Sequence, residues 1–153
     1  MGYLSFLKIE GVRGGCTDEF HPGWLDLVSF SQSLAGTEGL FHHDICIAKL
    51  ADRSSPTLAA AVCAGRHFSK AMIQLCPEGE PGRPFMELRL EDVTLLGYSL
   101  SGGAQMSEGA PFENFNLRAG HVEWRYMPGA LGLQDEDEPE ICRAEWSRVA
   151  PSK

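Results

Sequence analysis

The segment PTLAAAVCAG, Pro56 to Gly65, reads as one short helix in a chain whose other apolar segments alternate as strands do. Ser54 or Ser55 can cap its start, and Pro56 suits the first helical position, where a missing N–H is no loss. Leu58 to Ala64 is alanine-rich, and Gly65 offers the left-handed stop that commonly ends a helix. The predicted helix, about Pro56 to Ala64, has about two and a half turns. Isolated helices of that length are unstable in water. It must therefore lean on a sheet, through Leu58, Ala61 and Val62, and its small side chains permit close approach by a neighbour.

The rest of the chain supplies that sheet. Tyr3 to Glu10 is apolar and stops at Gly11, and Val12 to Gly23 is loop. Trp24 to Ser31 is predicted as one strand, with Trp24, Asp26, Val28 and Phe30 on one face and Leu25, Leu27, Ser29 and Ser31 on the other. Gly36 to Gly39 is a turn, after which Phe41, His43, Ile45 and Ile47 alternate with His42, Asp44, Cys46 and Ala48. Beyond the helix, His67 to Leu75 is a strand and Pro77 to Pro84 a turn. Phe85 to Leu90 returns as hairpin partner, with Met86, Leu88 and Leu90 on one face. Val93 to Leu100, Phe112 to Ala119, His121 to Met127 and Ile141 to Val149 complete the set, and a Gly- and Ser-rich loop spans Ser101 to Pro111. In the strand from His121, Val122, Trp124 and Tyr126 face one way, and His121, Glu123 and Arg125 the other. Short strands with regular turn signals predict a mainly β fold: a small antiparallel barrel or sandwich with one helix on its flank. At 153 residues, without repeat or linker, the chain reads as one domain, 1–153.

Several functions are disfavoured by the composition. The net charge of −8 argues against nucleic acid, which is bound through clustered Lys and Arg. Much of the excess lies in the run Asp135-Glu136-Asp137-Glu138-Pro139-Glu140, read as a solvated loop or a docking segment for a basic partner. No apolar run is long enough to span a bilayer, and the start lacks the features of a secretory signal. The expected location is the cytoplasm, with any export by a route that reads no N-terminal signal. The five cysteines show no zinc spacing and read as buried free thiols. His42, His43 and Asp44 invite a metal reading, but adjacent strand residues face opposite ways. Catalytic chemistry is equally thin. Cys63 and His67 form a Cys/His pair only across the helix break at Gly65, and Glu87, Glu91 and Asp92 are the carboxylates one would pose as a pair. The reading is a non-enzyme with no cofactor and no metal.

Four segments together resemble the hemolysin-coregulated protein (Hcp) family, the tube subunits of type VI secretion. They are GWLDLVSFSQS (Gly23–Ser33), DRSSPTLAAAVCAGRHFSKAMIQLC (Asp52–Cys76), LRLEDVTLLGYSLSGG (Leu88–Gly103) and LRAGHVEWRYMP (Leu117–Pro128). Each is similar to a family stretch: the second strand, the Ser-Ser-Pro start into the helix, the Leu-Glu-Asp-Val strand, and the strand with a Glu-Trp core. The tail is a weaker match, since Glu145-Trp146 keeps only the tryptophan of the family's Gly-Trp. The resemblance implies a subunit that pairs with copies of itself in a hexameric ring. Rings would stack into a tube inside a contractile sheath, with a spike protein at the tip and effector proteins in the lumen. It also implies secretion to the extracellular space or a target cell. Contact segments under this reading are the loop at Ser33, Leu34 and Leu40, the helix at Ser55, Pro56 and Ala60, and the loop at Ser101, Gly102 and Gly103. Many relatives carry a long arm between the second and third strands, whereas only the seven residues Ser33–Gly39 separate the strand signals here. A shorter arm would weaken stacking more than ring closure. Two other readings are a monomeric barrel that binds a small apolar ligand, and a tube protein of a phage-tail-like injection machine.

Overall fold

The computed structural model describes residues 2–34, 36–37, 40–41, 44–103, 110–127 and 142–147, with only the backbone of 36–37 and 40–41. Along the chain come β1 (Tyr3–Ile9), β2 (Leu25–Asp26), β3 (Ser29–Gln32), β4 (Gly36–Thr37), β5 (Leu40–Phe41) and β6 (Ile45–Leu50). Then follow α1 (Ser55–Ala64), β7 (His67–Pro77), β8 (Met86–Ser101), β9 (Phe112–Tyr126) and β10 (Cys142–Ser147). The main sheet is antiparallel in the order β2-β1-β7-β8-β9-β6-β3, and β10 pairs with β9 where β6 has ended. β4 and β5 form a separate two-stranded sheet.

The sheet closes on itself through the segment between β2 and β3. The Leu27 N–H donates to the Ser5 carbonyl of β1 at 3.1 Å, and the Val28 N–H to the Ala48 carbonyl of β6 at 2.8 Å. Closure removes the exposed edges that an open sheet would present there. The interior is filled by side chains such as Leu7, Ile9, Ile47, Ile73, Leu90 and Phe115, all almost fully buried. This is the expected mainly β barrel with one helix.

Closure also corrects the strand predicted from Trp24 to Ser31. The chain changes partner at Leu27–Val28, and the inward parity changes with it. Leu25 is buried and Leu27 packs on the core, but past the switch it is Phe30 that packs there. A one-residue shift turns alternate side chains to the other face, which a strict period of two cannot anticipate. The third strand is likewise shorter than predicted. It begins at Ile45, and β4 and β5 lie between β3 and β6, so more of the sequence separates those two strands than the seven residues expected from the strand signals.

Downstream, four predicted strands are two. β8 runs unbroken from Met86 to Ser101 and β9 from Phe112 to Tyr126. The polar Glu91-Asp92 and Gly120 looked like strand ends, but they align instead. Pairing passes from Glu91↔His121 to Val93↔Ala119, leaving Asp92 opposite Gly120, with Asp92 at φ 54. The ladders continue on either side, so the chain bends without turning back. A Cβ at Gly120 would come within 2.9 Å of Asp92 Oδ2, which is why a glycine suits this place.

The helix forms as read, from Ser55 to Ala64, and packs on β8 with Leu58 and Ala61 buried and Val62 against the core. Gly65 ends it at φ 62, and the N–H groups of Gly65 and Arg66 return to the carbonyls of Val62 and Ala61. Its start differs from expectation, because the Ser54 side chain makes no cap bond. Asp52 organises that corner. Its Oδ1 accepts from the Ser54 N–H at 2.8 Å and hydroxyl at 2.5 Å, and its Oδ2 from the Gly15 N–H at 3.0 Å. The Asp52 N–H in turn donates to Ser55 Oγ at 2.9 Å.

Candidate functional site

Because side chains alternate along each strand, a filled barrel presents its remaining residues outward, and the pairing registers arrange them in rows. Two outward faces result, with different chemistry. Across β7, β8, β9 and β10 one row reads Gln74–Glu87–Arg125–Arg143. The next, from β1, reads Lys8–Met72–Arg89–Glu123–Glu145. Charges of opposite sign are interleaved and paired: Arg89 with Glu87 at 3.1 Å, and Arg125 with Glu123 at 2.5 Å. Arg125 holds the Glu123 carboxyl below its ordinary range, against a small opposing effect of burial. A shallow groove of about 290 Å³ runs over this face between Lys8, Lys70, Arg89 and Glu91.

The second face has two adjacent neutral rows. They are Ser31–Cys46–Asn116–Leu96 and Ser29–Ala48–Asn114–Ser99, from β3, β6, β9 and β8. Ser29, Ser31, Cys46, Asn114 and Ser99 are exposed. Small hydroxyl, thiol and amide groups leave these two rows uncharged, while the next row toward Ile45 carries Arg118, paired with Asp44 at 3.0 Å.

Two buried polar clusters support these faces. At the end of β6 the Lys49 ammonium is fully buried and donates to Glu113 Oε1, to Asp52 Oδ1 at 3.0 Å and to the Leu50 carbonyl at 3.0 Å. The second Glu113 oxygen accepts from the Tyr98 hydroxyl at 2.5 Å. Burial, and then Glu113, push the Tyr98 phenol up to about 12. All three Lys49 protons are thereby used, as a buried ammonium requires. The other cluster lies where the loop after β1 folds over β1 and β7, with His21, Cys16, Trp24, Phe6 and Cys76 packed together. Burial raises both thiols, Cys16 and Cys76, to about 11, so neither is an effective nucleophile near neutral pH.

The expected contact residues fall into two groups. Ser33 and Leu34 follow β3 and are exposed, and Leu40 lies on the backbone of β5. They adjoin the Ile45 end of β6, since Gln32 pairs with Ile45. Ser55, Pro56 and Ala60 lie on α1, the last two exposed, and Ser101 ends β8 with Gly102 and Gly103 following it, all exposed. These belong to the opposite end, where Leu50, Phe112 and Ser101 share a row. Five residues of β6 separate the groups, about 17 Å along a strand.

Other expected sites come apart or fall elsewhere. His67 turns to Asp92 at 3.2 Å across β7 and β8, and Cys63 stays exposed on the helix. Glu87 is buried beneath Gln74 and Arg89, while Glu91 is exposed two rows away, about 13 Å along a strand, too far for a shared proton. None of the five cysteines is in a disulfide, but only Cys16 and Cys76 are buried. Cys46, Cys63 and Cys142 are exposed, because strand and helix parity turn them outward. His42, His43 and the acidic run from Asp135 to Glu140 lie outside the described residues. Among the described residues no helix is long and apolar enough to cross a membrane.

Neither the Lys49–Glu113 pair nor the His21 cluster was anticipated. Parity contained a signal for the first: Lys49 continues the inward series Ile45, Ile47, and Glu113 the series Phe115, Leu117.

Comparison with known proteins bears on this architecture. A family model described as "Type VI secretion system effector, Hcp" matches residues 6–126. The protein hcp1 of Pseudomonas aeruginosa is 26% identical over 140 residues, covering 84% of this chain and 85% of its own. Among solved structures, Hcp1 from Salmonella typhimurium superposes with a TM-score of 0.80 at 21% identity, covering 96% of each chain. A type VI secretion system effector from Yersinia pestis gives 0.76 at 18% identity, over 94% of this chain and 98% of that one. With most of the chain inside the family match and the same fold in these structures, the protein belongs to the Hcp family of type VI secretion effectors.

Proposed function

We propose that this chain is a structural, non-catalytic tube subunit acting as a single domain, 1–153. Six copies close into a ring, rings stack within a contractile sheath behind a spike, and the tube is exported with effector proteins in its lumen. It needs no cofactor, nucleic acid or membrane insertion.

The observation that carries this reading is the pair of adjacent neutral rows on the outward face of β3, β6, β9 and β8. A lumen lining must let varied cargo pass without holding it, and small uncharged side chains do so better than ion-paired rows. We assign that face to the lumen. The contact candidates support a ring in a second way. A closed ring is built from heterologous contacts, in which one patch of each subunit meets a different patch of the next. Ser33, Leu34 and Leu40 at one end of β6, and Ser55, Pro56, Ala60, Ser101, Gly102 and Gly103 at the other, supply two such patches. Leu34 is 51% exposed, and covering it would be favourable. A barrel that carries a small ligand inside needs an internal cavity, whereas this interior is filled by core side chains.

The test is mass in solution by size-exclusion chromatography with light scattering, then negative-stain imaging of the main peak. A species of about six subunits with an annular image is expected. A monodisperse monomer over a wide concentration range would overturn the ring.

A further inference from the structure

The His21 ring is 1% exposed yet polar on both edges. Its Nδ1 lies 2.6 Å from Asp18 Oδ2, and its Nε2 lies 2.7 Å from Gln74 Oε1. Both partners are oxygen acceptors. Gln74 cannot reverse its amide, because its Nε2 donates to Glu87 Oε2 at 2.5 Å and its carbonyl would then face that carboxylate. Arg89 in turn holds the other Glu87 oxygen. The ring therefore has to donate from both nitrogens, which only the imidazolium form does. Phe6 stacks on it at 3.9 Å between centroids and Trp24 meets it edge-on at 4.7 Å.

We propose that His21 is a proton-dependent latch: as imidazolium it pins residues 16–24 of the loop over β1 and β7, and loss of one proton releases that part of the loop. The groups facing it are few. Asp18 and Cys16 come from its own loop, and Cys76 from β7 with its sulfur 3.8 Å from Nε2. Glu87 and Arg89 come from β8 through Gln74, Lys8 of β1 lies over the Trp24 ring, and Asp26 of β2 bears on Cys16. Both thiols remain neutral, so the ring sits between the carboxylates of Asp18 and Glu87, with Arg89 beyond Glu87. Neutral His21 would aim a lone pair at Asp18 or at the Gln74 carbonyl, an opposition that a ring 1% exposed cannot relieve by turning to bulk solvent. The backbone bonds of the loop, such as Gly14 N–H to the Gly23 carbonyl at 2.7 Å, lie within the loop itself. Its start is held separately, by the Val12 N–H on the Ile9 carbonyl at 2.9 Å with Val12 in the core, and by the Gly15 N–H on Asp52 at 3.0 Å, so the latch bears on residues 16–24 and on whether they keep Phe6 and Cys76 covered.

The test uses the whole protein. Nitrogen NMR of the His21 ring is recorded from about pH 5 to about pH 9, with amide exchange of residues 16–24 normalised to intrinsic rates. Two protonated ring nitrogens are expected at the acid end. Loop protection should then fall about tenfold per pH unit as the second proton leaves, the slope for one proton bound on closing, while β7 to β9 stay protected. Asp18→Asn should move the release to lower pH, and His21→Gln should leave the loop weakly protected at every pH. A ring with one bare nitrogen and a fully protected loop at the acid end overturns the latch. So does loop protection that does not change when the proton is lost. If His21→Gln does not fold, the wild-type spectra still decide.

Discussion

Lys49 and Asp52 show how far one residue's role depends on partners remote in the chain. Lys49→Met leaves Glu113 buried beside the Tyr98 hydroxyl without its cation. Removing one member of a buried pair costs about 3–5 kcal/mol, and urea unfolding of the variant should show a loss of that size. Replacing both, Lys49→Met with Glu113→Leu, should recover much of it, because the unpaired charge disappears. Asp52 gives a dependence on acid. Burial alone would raise its carboxyl, but hydrogen bonds from Ser54, Lys49 and Gly15 hold it below the usual value. The folded value then lies under the unfolded one. Its stabilisation is therefore present above about pH 4 and is lost as pH falls through the folded value. Asp52→Asn should be less stable at neutral pH and show a flatter acid limb. An acid limb parallel to wild type would remove Asp52 from the account.

At the scale of elements, the helix was legible because its signals are local: Pro56 at the start, an alanine run, Gly65 at the stop. Its dependence on the sheet can be measured. Leu58 is fully buried, and Leu58→Ala should cost about 2–5 kcal/mol, read as a lowered midpoint of unfolding. Ala60→Ser on the exposed side should cost well under 1 kcal/mol. The strands from Tyr3 and His67 were legible for the same reason, as apolar patterns within a few residues. The break at Leu27–Val28 was not, because it arises from two partners, β1 and β6, far apart in sequence. Asp92 and Gly120 misled in the opposite sense: each looks like a strand end alone, and only their alignment turns two ends into one bend.

For the whole molecule, assembly and lining separate into different experiments. Leu34→Asp and Pro56→Asp alter exposed positions in the two patches and should lower the hexamer fraction in light scattering while the unfolding midpoint changes little. Asn116→Arg, in one of the two neutral rows, should leave rings intact and reduce retention of co-expressed effector. If Asn116→Arg abolishes the ring and Leu34→Asp and Pro56→Asp do not, the assignment of faces is reversed.

Alternation and turn chemistry, properties of near neighbours, determined that this chain is a β barrel with one helix, and the ordered set of segments pointed to its family. Which outward faces exist, and what they are made of, depends on register between strands tens of residues apart. So do the remote partners of Lys49 and His21, because Glu113 is 64 residues from Lys49 and Gln74 is 53 from His21, and only the packing of strands brings them within hydrogen-bond range.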